Sequence, residues 1–390
     1  MTKQTYLDNA ATTPMDARVV DAMLPFLKES FGNPSSVHSA GQTVRAAVEK
    51  ARAQVAALVG ARPDEIFFTS GGTEADNWAL KGTAWAKADK GRHLITSGIE
   101  HHAVMESAEY LEKHGFEVSY LPVDEYGRVD IESVAAAVTP GTILVSVMHA
   151  NNEIGTIQPV AEIGRLLRNK DTIFHVDAVQ TAGHLPVDVN EIGADLMSIS
   201  GHKLYGPKGI GALYIRKGVR IASLLSGGSQ ERNKRPGTEN VAGIIGFGAA
   251  AEIAMSEMTA ETDRITALRD RLAKELLARI PDSTLNGHPT DRLANNVNIS
   301  FRYVEGESLV LHLDFEGIFA STGSACSSSS LEPSHVLLAC GRLAEDAHGS
   351  IRFSLGKFNN EEDIDRVIET LPGIVKKLRA MSPLAPGAAE

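Results

Sequence analysis

Cysteine is scarce in this chain: only Cys326 and Cys340 occur among 390 residues. Two thiols cannot staple a protein of this length, which excludes a disulfide scaffold and fits a reducing compartment, the cytoplasm. Positive charge is also in deficit, with 38 Lys and Arg against 49 Asp and Glu and a net charge of −11. No basic stripe interrupts that balance, so nucleic acid is not an expected partner. The first residues lack the apolar core of a secretion signal. A run of about 18 apolar residues, the length a membrane span needs, is missing too. What remains is the ordinary balance of a globular enzyme, 43% apolar and 22% charged. The length leaves room for a large core and two domains.

Glycine, in contrast, is gathered around one lysine. Residues 198–211 read SISGHKLYGPKGIG. The apolar segments 195–199 and 210–215 predict strands on either side, so Lys203 lies on a Gly-rich connection with Ser200 and His202. A lysine withdrawn from water loses proton affinity and becomes nucleophilic toward carbonyls. A solvated loop lysine is the plain alternative. Asp177 weighs against it, because it closes the apolar segment TIFHVD, where a carboxylate is costly unless a cation faces it. An Asp177–Lys203 ion pair would answer that cost. So would a cofactor between them, since pyridoxal phosphate needs a lysine for its aldehyde and a carboxylate for its ring nitrogen.

HVDAVQTAGH followed by SISGHKLYGPKGIGALY resembles the fold-type-I pyridoxal-phosphate enzymes, specifically the NifS/IscS-like cysteine desulfurases. The likeness runs from YLDNAATTP to IRFSLG, with the motifs in the family's order. It implies an α/β fold with a large domain, 14–260, built on a mainly parallel seven-stranded sheet. A smaller α+β domain, 1–13 with 261–390, would carry a mobile cysteine loop at about 321–333. A helical pattern over 249–279, interrupted near 257–263, marks the boundary between them.

The other motifs gain meaning in that frame. The strand 66–69 runs through SGGTE into a helix. Glycines admit close backbone approach there, and free amides at the helix start favour an anion. Ordinary capping reads the same way; the resemblance places the cofactor phosphate on Gly72 and Thr73, with Ser200 and His202 also in the cofactor site. His101 follows the strand 93–96 and is either a helix-entry residue or, by resemblance, the imidazole that stacks on the pyridine and moves protons. Asn152 sits beyond the strand 142–149, where ligand crevices of open α/β sheets lie. The resemblance gives Asn152 and Gln180 the cofactor's phenolic oxygen.

Asn33, in the turn-rich GNPSSVH, is a surface connection or, by resemblance, a contact to the substrate carboxylate. Arg352 is a lone cation in the alternating segment 350–355, and buried arginines want a carboxylate partner. That partner is an internal Asp or Glu or, by resemblance, the α-carboxylate of the substrate. Within RPGTEN, Thr238, with Arg235 beside it, would reach the phosphate of a neighbouring subunit, which implies a homodimer.

The second chemical centre is STGSACSSSSLEP, residues 321–333. A cysteine among glycine and serine has no apolar patch to pack against, and the serine run has the composition of a flexible hinge. It is a linker with an incidental thiol or a nucleophile that must visit two places. The stretch resembles the long cysteine loop of the group I desulfurases. That implies that Cys326 takes the sulfur of L-cysteine as a persulfide, leaves L-alanine, and hands the sulfur to an IscU/NifU-type scaffold for iron–sulfur cluster assembly. Cys326 could also share an iron–sulfur centre through that persulfide. RPGTEN and the short tail lean toward the NifS, nitrogenase-related branch. A selenocysteine lyase or a related aminotransferase would use the same cofactor set and stays open. Cys340, in the apolar HVLLAC, reads as a core residue.

Overall fold

Segments that are apolar on both alternating faces must be covered on both sides, as in a parallel sheet flanked by helices. A computed structural model, which describes residues 4–323 and 333–385, has such a sheet at its centre. Its seven strands lie in the order Ile66–Thr69, Gly211–Ile215, Leu196–Ser200, Ile173–Asp177, Thr142–Ser146, His93–Ser97 and Glu117–Leu121. Gly211–Ile215 is antiparallel to both its neighbours, and the other pairings are parallel. Two reversals restore the direction, so Ile66–Thr69 points its carboxyl end the same way as the parallel strands.

Successive residues feed opposite layers. Ile66, Phe68, Ile95, Val145 and Phe174 belong to one core. Phe67, Leu94, Leu144 and Ile173 belong to the core on the other face. Helices Ser39–Leu58 and Gly72–Lys87 contribute to these two layers through Val44, Val48 and Val55 and through Trp78 and Leu80 respectively.

A separate core gathers Leu7, Val297, Ile299, Phe301, Ile351 and Phe353. It covers the antiparallel sheet of Ser283–Asn286, Asn296–Phe301 and Ser350–Ser354. The chain start joins it, with Thr5–Tyr6 pairing parallel to Ile318–Phe319.

One helix serves both cores. Val241–Arg279 is continuous over 39 residues, which corrects the expected interruption near 257–263. Its first part inserts Ile244, Phe247 and Ala251 into one core, and its last part inserts Leu268, Leu272 and Leu276 into another. The polar stretch between them bridges the two and needs no apolar face. The apolar periodicity lapses there while the helical hydrogen bonds continue. The same helix is long and apolar enough to cross a membrane by length and composition alone, yet Ile244, Phe247, Ala251, Leu268, Leu272 and Leu276 line these protein cores.

Candidate active site

In an open parallel sheet the carboxyl ends of the strands open into the ligand crevice. Here that edge delivers one chemical group after another. Asn152 follows Thr142–Ser146, Gln180 follows Ile173–Asp177, Lys203 follows Leu196–Ser200, and His101 follows His93–Ser97. Together with Gly72, Thr73, Ser200, His202 and Arg352 they line a cavity of about 360 Å³.

Lys203 ends a single helical turn, Gly201–Lys203. The next turn closes tightly because the Gly206 amide donates to the Gly201 carbonyl at 3.0 Å. A Cβ on Gly206 would lie 2.7 Å from that same oxygen, so only glycine fits. Tyr205 adopts a left-handed φ of 62°. Its amide donates to Thr13 Oγ1 at 2.9 Å, and its phenol accepts from the Lys357 amide at 2.7 Å. The lysine amine donates to the carbonyls of Ala10 and Ala11, at 2.5 and 2.8 Å. The N-terminal segment therefore lies across the lysine.

Asp177 is buried, and its Oδ1 accepts from the Val179 amide at 2.9 Å. Burial pushes its pKa up to about 6, against the lowering pull of that amide and of Lys203. His101 caps helix His102–Glu112, with Nδ1 accepting from the Ala103 amide at 3.1 Å. Burial first, then the nearby Lys203, holds it down at about 4, so its imidazole is neutral at pH 7. Burial likewise lowers His202 to about 4. Its Nδ1 is 3.1 Å from Thr12 Oγ1.

Helix Gly72–Lys87 opens on the cavity without a side-chain cap. The hydroxyl of Ser200 is buried and has no hydrogen-bond partner among the described residues. An uncapped helix start beside an unpartnered hydroxyl is a donor set for an anion. With an amine and a buried carboxylate in the same cavity, these residues fit pyridoxal phosphate.

Some expected residues sit differently. Arg352 lines the cavity, but its Nη2 donates to Asp8 Oδ1 at 2.8 Å and its Nη1 to the Asn152 carbonyl at 3.0 Å. An internal carboxylate thus already holds it, and its Nε is buried without a hydrogen-bond partner among the described residues. Asn33 is exposed and is not part of the cavity in one chain. Its side chain accepts from the Ser35 amide at 2.8 Å, closing a local turn. Thr238 is also exposed and away from the cavity. Arg235 spends its guanidinium on Glu74, at 2.7 and 3.0 Å. Cys326 lies outside the described residues, as does most of its expected loop. Cys340 is buried in a small cluster with Ile99, Met148, Ile154 and Leu337, and burial pushes its thiol up to about 12.

The cavity also contains groups that the sequence did not single out. Asp76 is wholly buried, and burial with the neighbouring Asp177 charge drives its pKa well up. Glu100 is buried as well. It accepts from Ser97 Oγ at 2.5 Å and from the Met148 amide at 3.0 Å, and burial pushes its pKa up to about 8. His335 reaches back from beyond the loop, with Nε2 3.0 Å from the Glu100 carbonyl. The signal for Asp76 was a carboxylate on the apolar face of its helix; for His335 no local signal existed. Among the described residues no group of three or more His, Cys, Asp or Glu is arranged to hold a metal ion.

The comparisons agree with this geometry. The family described as Aminotransferase class-V matches residues 5–367. Proteins named cysteine desulfurase IscS are 58% identical, from Methanosarcina thermophila over 98% of this chain and 95% of theirs, and from Dictyoglomus turgidum over 98% and 97%. A solved NIFS-like protein superposes with a TM-score of 0.91 at 42% identity, over 96% of this chain and all of its own. DndA from Streptomyces lividans does so with a TM-score of 0.76 at 40% identity, over 90% of this chain and 99% of its own. With a lysine and a buried carboxylate at the mouth of a mainly parallel sheet, the chain belongs to the class-V aminotransferase family and, within it, to the pyridoxal-phosphate-dependent cysteine desulfurases.

Proposed function

We propose that the chain removes sulfur from L-cysteine, giving L-alanine and a persulfide on Cys326. The observation that carries this reading is the convergence of Lys203, Asp177, His101 and Arg352 on one cavity. Pyridoxal phosphate supplies an aldehyde that captures amines and a ring that draws electrons away from the substrate Cα. Lys203 is the residue that would hold that aldehyde, and its amine would carry the Cα proton. Asp177 would pair with the cofactor's ring nitrogen, and a cation there would offset the cost of burying that carboxylate. Gly72 and Thr73 would hold its phosphate, with Ser200 and His202 also in the cofactor site, and Asn152 with Gln180 would hold its phenolic oxygen. His101, neutral at pH 7, accepts the thiol proton of the substrate. Arg352 orients the substrate carboxylate while Asp8 fixes its plane.

The Cys326 thiolate then forms a sulfur–sulfur bond as the Cβ–S bond of the substrate breaks. The bond's electron pair stays with the carbon side, which takes up protons to become alanine. The alternative products, a keto acid or selenide, belong to an aminotransferase or a selenocysteine lyase. Incubation with L-cysteine decides: one added sulfur on the Cys326 peptide by mass spectrometry, with equimolar L-alanine, is the expected result. A keto acid without the added sulfur would overturn it.

The finer assignments extend the same reading. Thr238, exposed and outside its own cavity, suits a phosphate contact across a homodimer. Asn33, exposed as well, serves substrate only if a second subunit brings it near. The acceptor of the sulfur is an IscU/NifU-type scaffold, for general or nitrogenase-related clusters, with Cys326 able to share the nascent centre. Two cysteines and an acidic balance support a cytoplasmic setting. Separate cores support the division into 14–260 and 1–13 with 261–390, joined through the long helix.

A further inference from the structure

Glu153 follows Asn152 in the cavity turn, and its carboxylate is buried. The turn that carries it is firmly built. Asn151 Oδ1 accepts from the Glu153 and Ile154 amides at 2.8 and 3.0 Å, and Asn151 Nδ2 donates to the Ile99 carbonyl at 2.8 Å. The Glu153 carbonyl accepts from Asn296 and Asn298 at 3.2 and 3.0 Å. A side chain on such a turn has little freedom of its own.

That carboxylate meets both flanks of the Cys326 stretch. On the far side, Ser334 Oγ donates to Glu153 Oε2 at 2.5 Å. The same hydroxyl accepts from the Leu337 amide at 3.2 Å, which starts helix His335–Ala339. On the near side, Gly323 packs so close that a Cβ would lie 2.8 Å from Glu153 Oε2. Two residues before it, Ser321 is fixed to the Arg352 backbone by hydrogen bonds of 3.2 and 2.7 Å. Oε2 is thus the point at which the two flanks converge.

We infer that Glu153 is a positioning residue for sulfur transfer: it seats Gly323 and Ser334, the described residues on either side of the stretch that bears Cys326. The inference rests on Cys326 being the sulfur acceptor. It needs no contact between Glu153 and the cofactor, so the chemistry at Cα should be spared when Glu153 is changed. Displacing a reacting group by about 1 Å is enough to cost roughly 100-fold in rate.

The test uses the cofactor-loaded enzyme and two readouts. Exchange of the Cα hydrogen of L-alanine for deuterium reports on Lys203 and the cofactor alone. Sulfur added to the Cys326 peptide in a single turnover with L-cysteine reports on the thiol. Glu153→Ala is expected to slow sulfur loading by about 10-fold or more while exchange and the cofactor absorbance stay as in the parent. Glu153→Gln, whose amide oxygen still accepts from Ser334, should recover most of the loading. Gly323→Ala tests the near flank with the carboxylate kept, since its added Cβ presses on Oε2, and should slow loading alone. Parent-like loading in Glu153→Ala, or exchange falling in parallel with loading, would overturn the inference. If Glu153→Ala fails to fold, Gly323→Ala decides by the same two readouts. Failure of the parent to place sulfur on Cys326 would instead overturn the function on which the inference rests.

Discussion

Arg352 and Asp8, from opposite ends of the chain, are joined by a hydrogen-bonded ion pair of 2.8 Å at the cavity wall. The arginine side chain is only 2% exposed and the aspartate 22%, so the pair is largely shielded from water and its geometry matters more than its net strength. Replacing Arg352 with lysine keeps the charge but loses the planar fork. KM for L-cysteine is expected to rise by about 10-fold or more, with a smaller change in kcat, the pattern of lost ground-state binding. Asp8→Asn should raise KM by a smaller factor. Steady-state kinetics with L-cysteine checks both, and an unchanged KM in Arg352→Lys would remove Arg352 from the substrate site.

Asp177 is worth its burial only if a cation faces it. In Asp177→Asn the amide cannot hold a protonated ring nitrogen, so deuterium exchange at the Cα of L-alanine should fall by about 100-fold or more, equivalent to about 2.7 kcal/mol. The visible absorbance of the bound cofactor should shift in the same variant.

Glu100 gives a pH dependence whose sign can be worked out. Its folded pKa, about 8, lies above the ordinary 4.5, so between those values the folded chain keeps a proton that the unfolded chain has released. Stability therefore falls as pH rises through that window, by at most about 1.4 kcal/mol per pH unit for this one group. His101, His149, His175 and His202 act on the other side. Burial holds them near 4, 4, 3 and 4, below the ordinary 6.5. As pH falls below 6.5 the unfolded chain gains protons that the folded chain refuses, and stability falls there too. Glu100→Gln should flatten the fall in melting temperature of the cofactor-free chain between pH 6.5 and 8 and steepen its rise between pH 4.5 and 6.5, where the histidines pull the other way. A uniform shift of the whole profile, with its slopes unchanged, would refute the assignment.

Arg52 and Glu231 form a buried pair with two hydrogen bonds of 2.8 Å. Glu231 also accepts from the Phe68 amide at 2.9 Å, beside three consecutive left-handed residues, Glu231, Arg232 and Asn233. Glu231→Ala leaves the buried Arg52 guanidinium with only the half-exposed Glu49 and the Ile66 carbonyl among its described partners, and is expected to cost about 3 kcal/mol of stability. Urea unfolding measures the loss.

The strands and the helix starts were legible along the chain because their causes are local. Alternation of apolar residues, a glycine pair before a helix, and a lysine between glycines each act within a few residues of themselves. Those signals were enough to set Lys203, Asp177 and His101 at strand ends, and hence at one edge of the sheet. The expected break near 257–263 failed because the helix there answers to two cores distant in sequence, not to its own periodicity. The same is true of the partners of the cavity residues. Asp8 beside Arg352, Ala10 beneath Lys203, Glu100 and Asp76 at the cavity wall, and Glu153 between Gly323 and Ser334 are pairings across long stretches of chain. No residue announces such a partner, because burial and charge pairing are decided by what the fold brings alongside. The sequence by itself settled which chemistry the chain carries; the tertiary structure alone decided which charges are buried and which are paired.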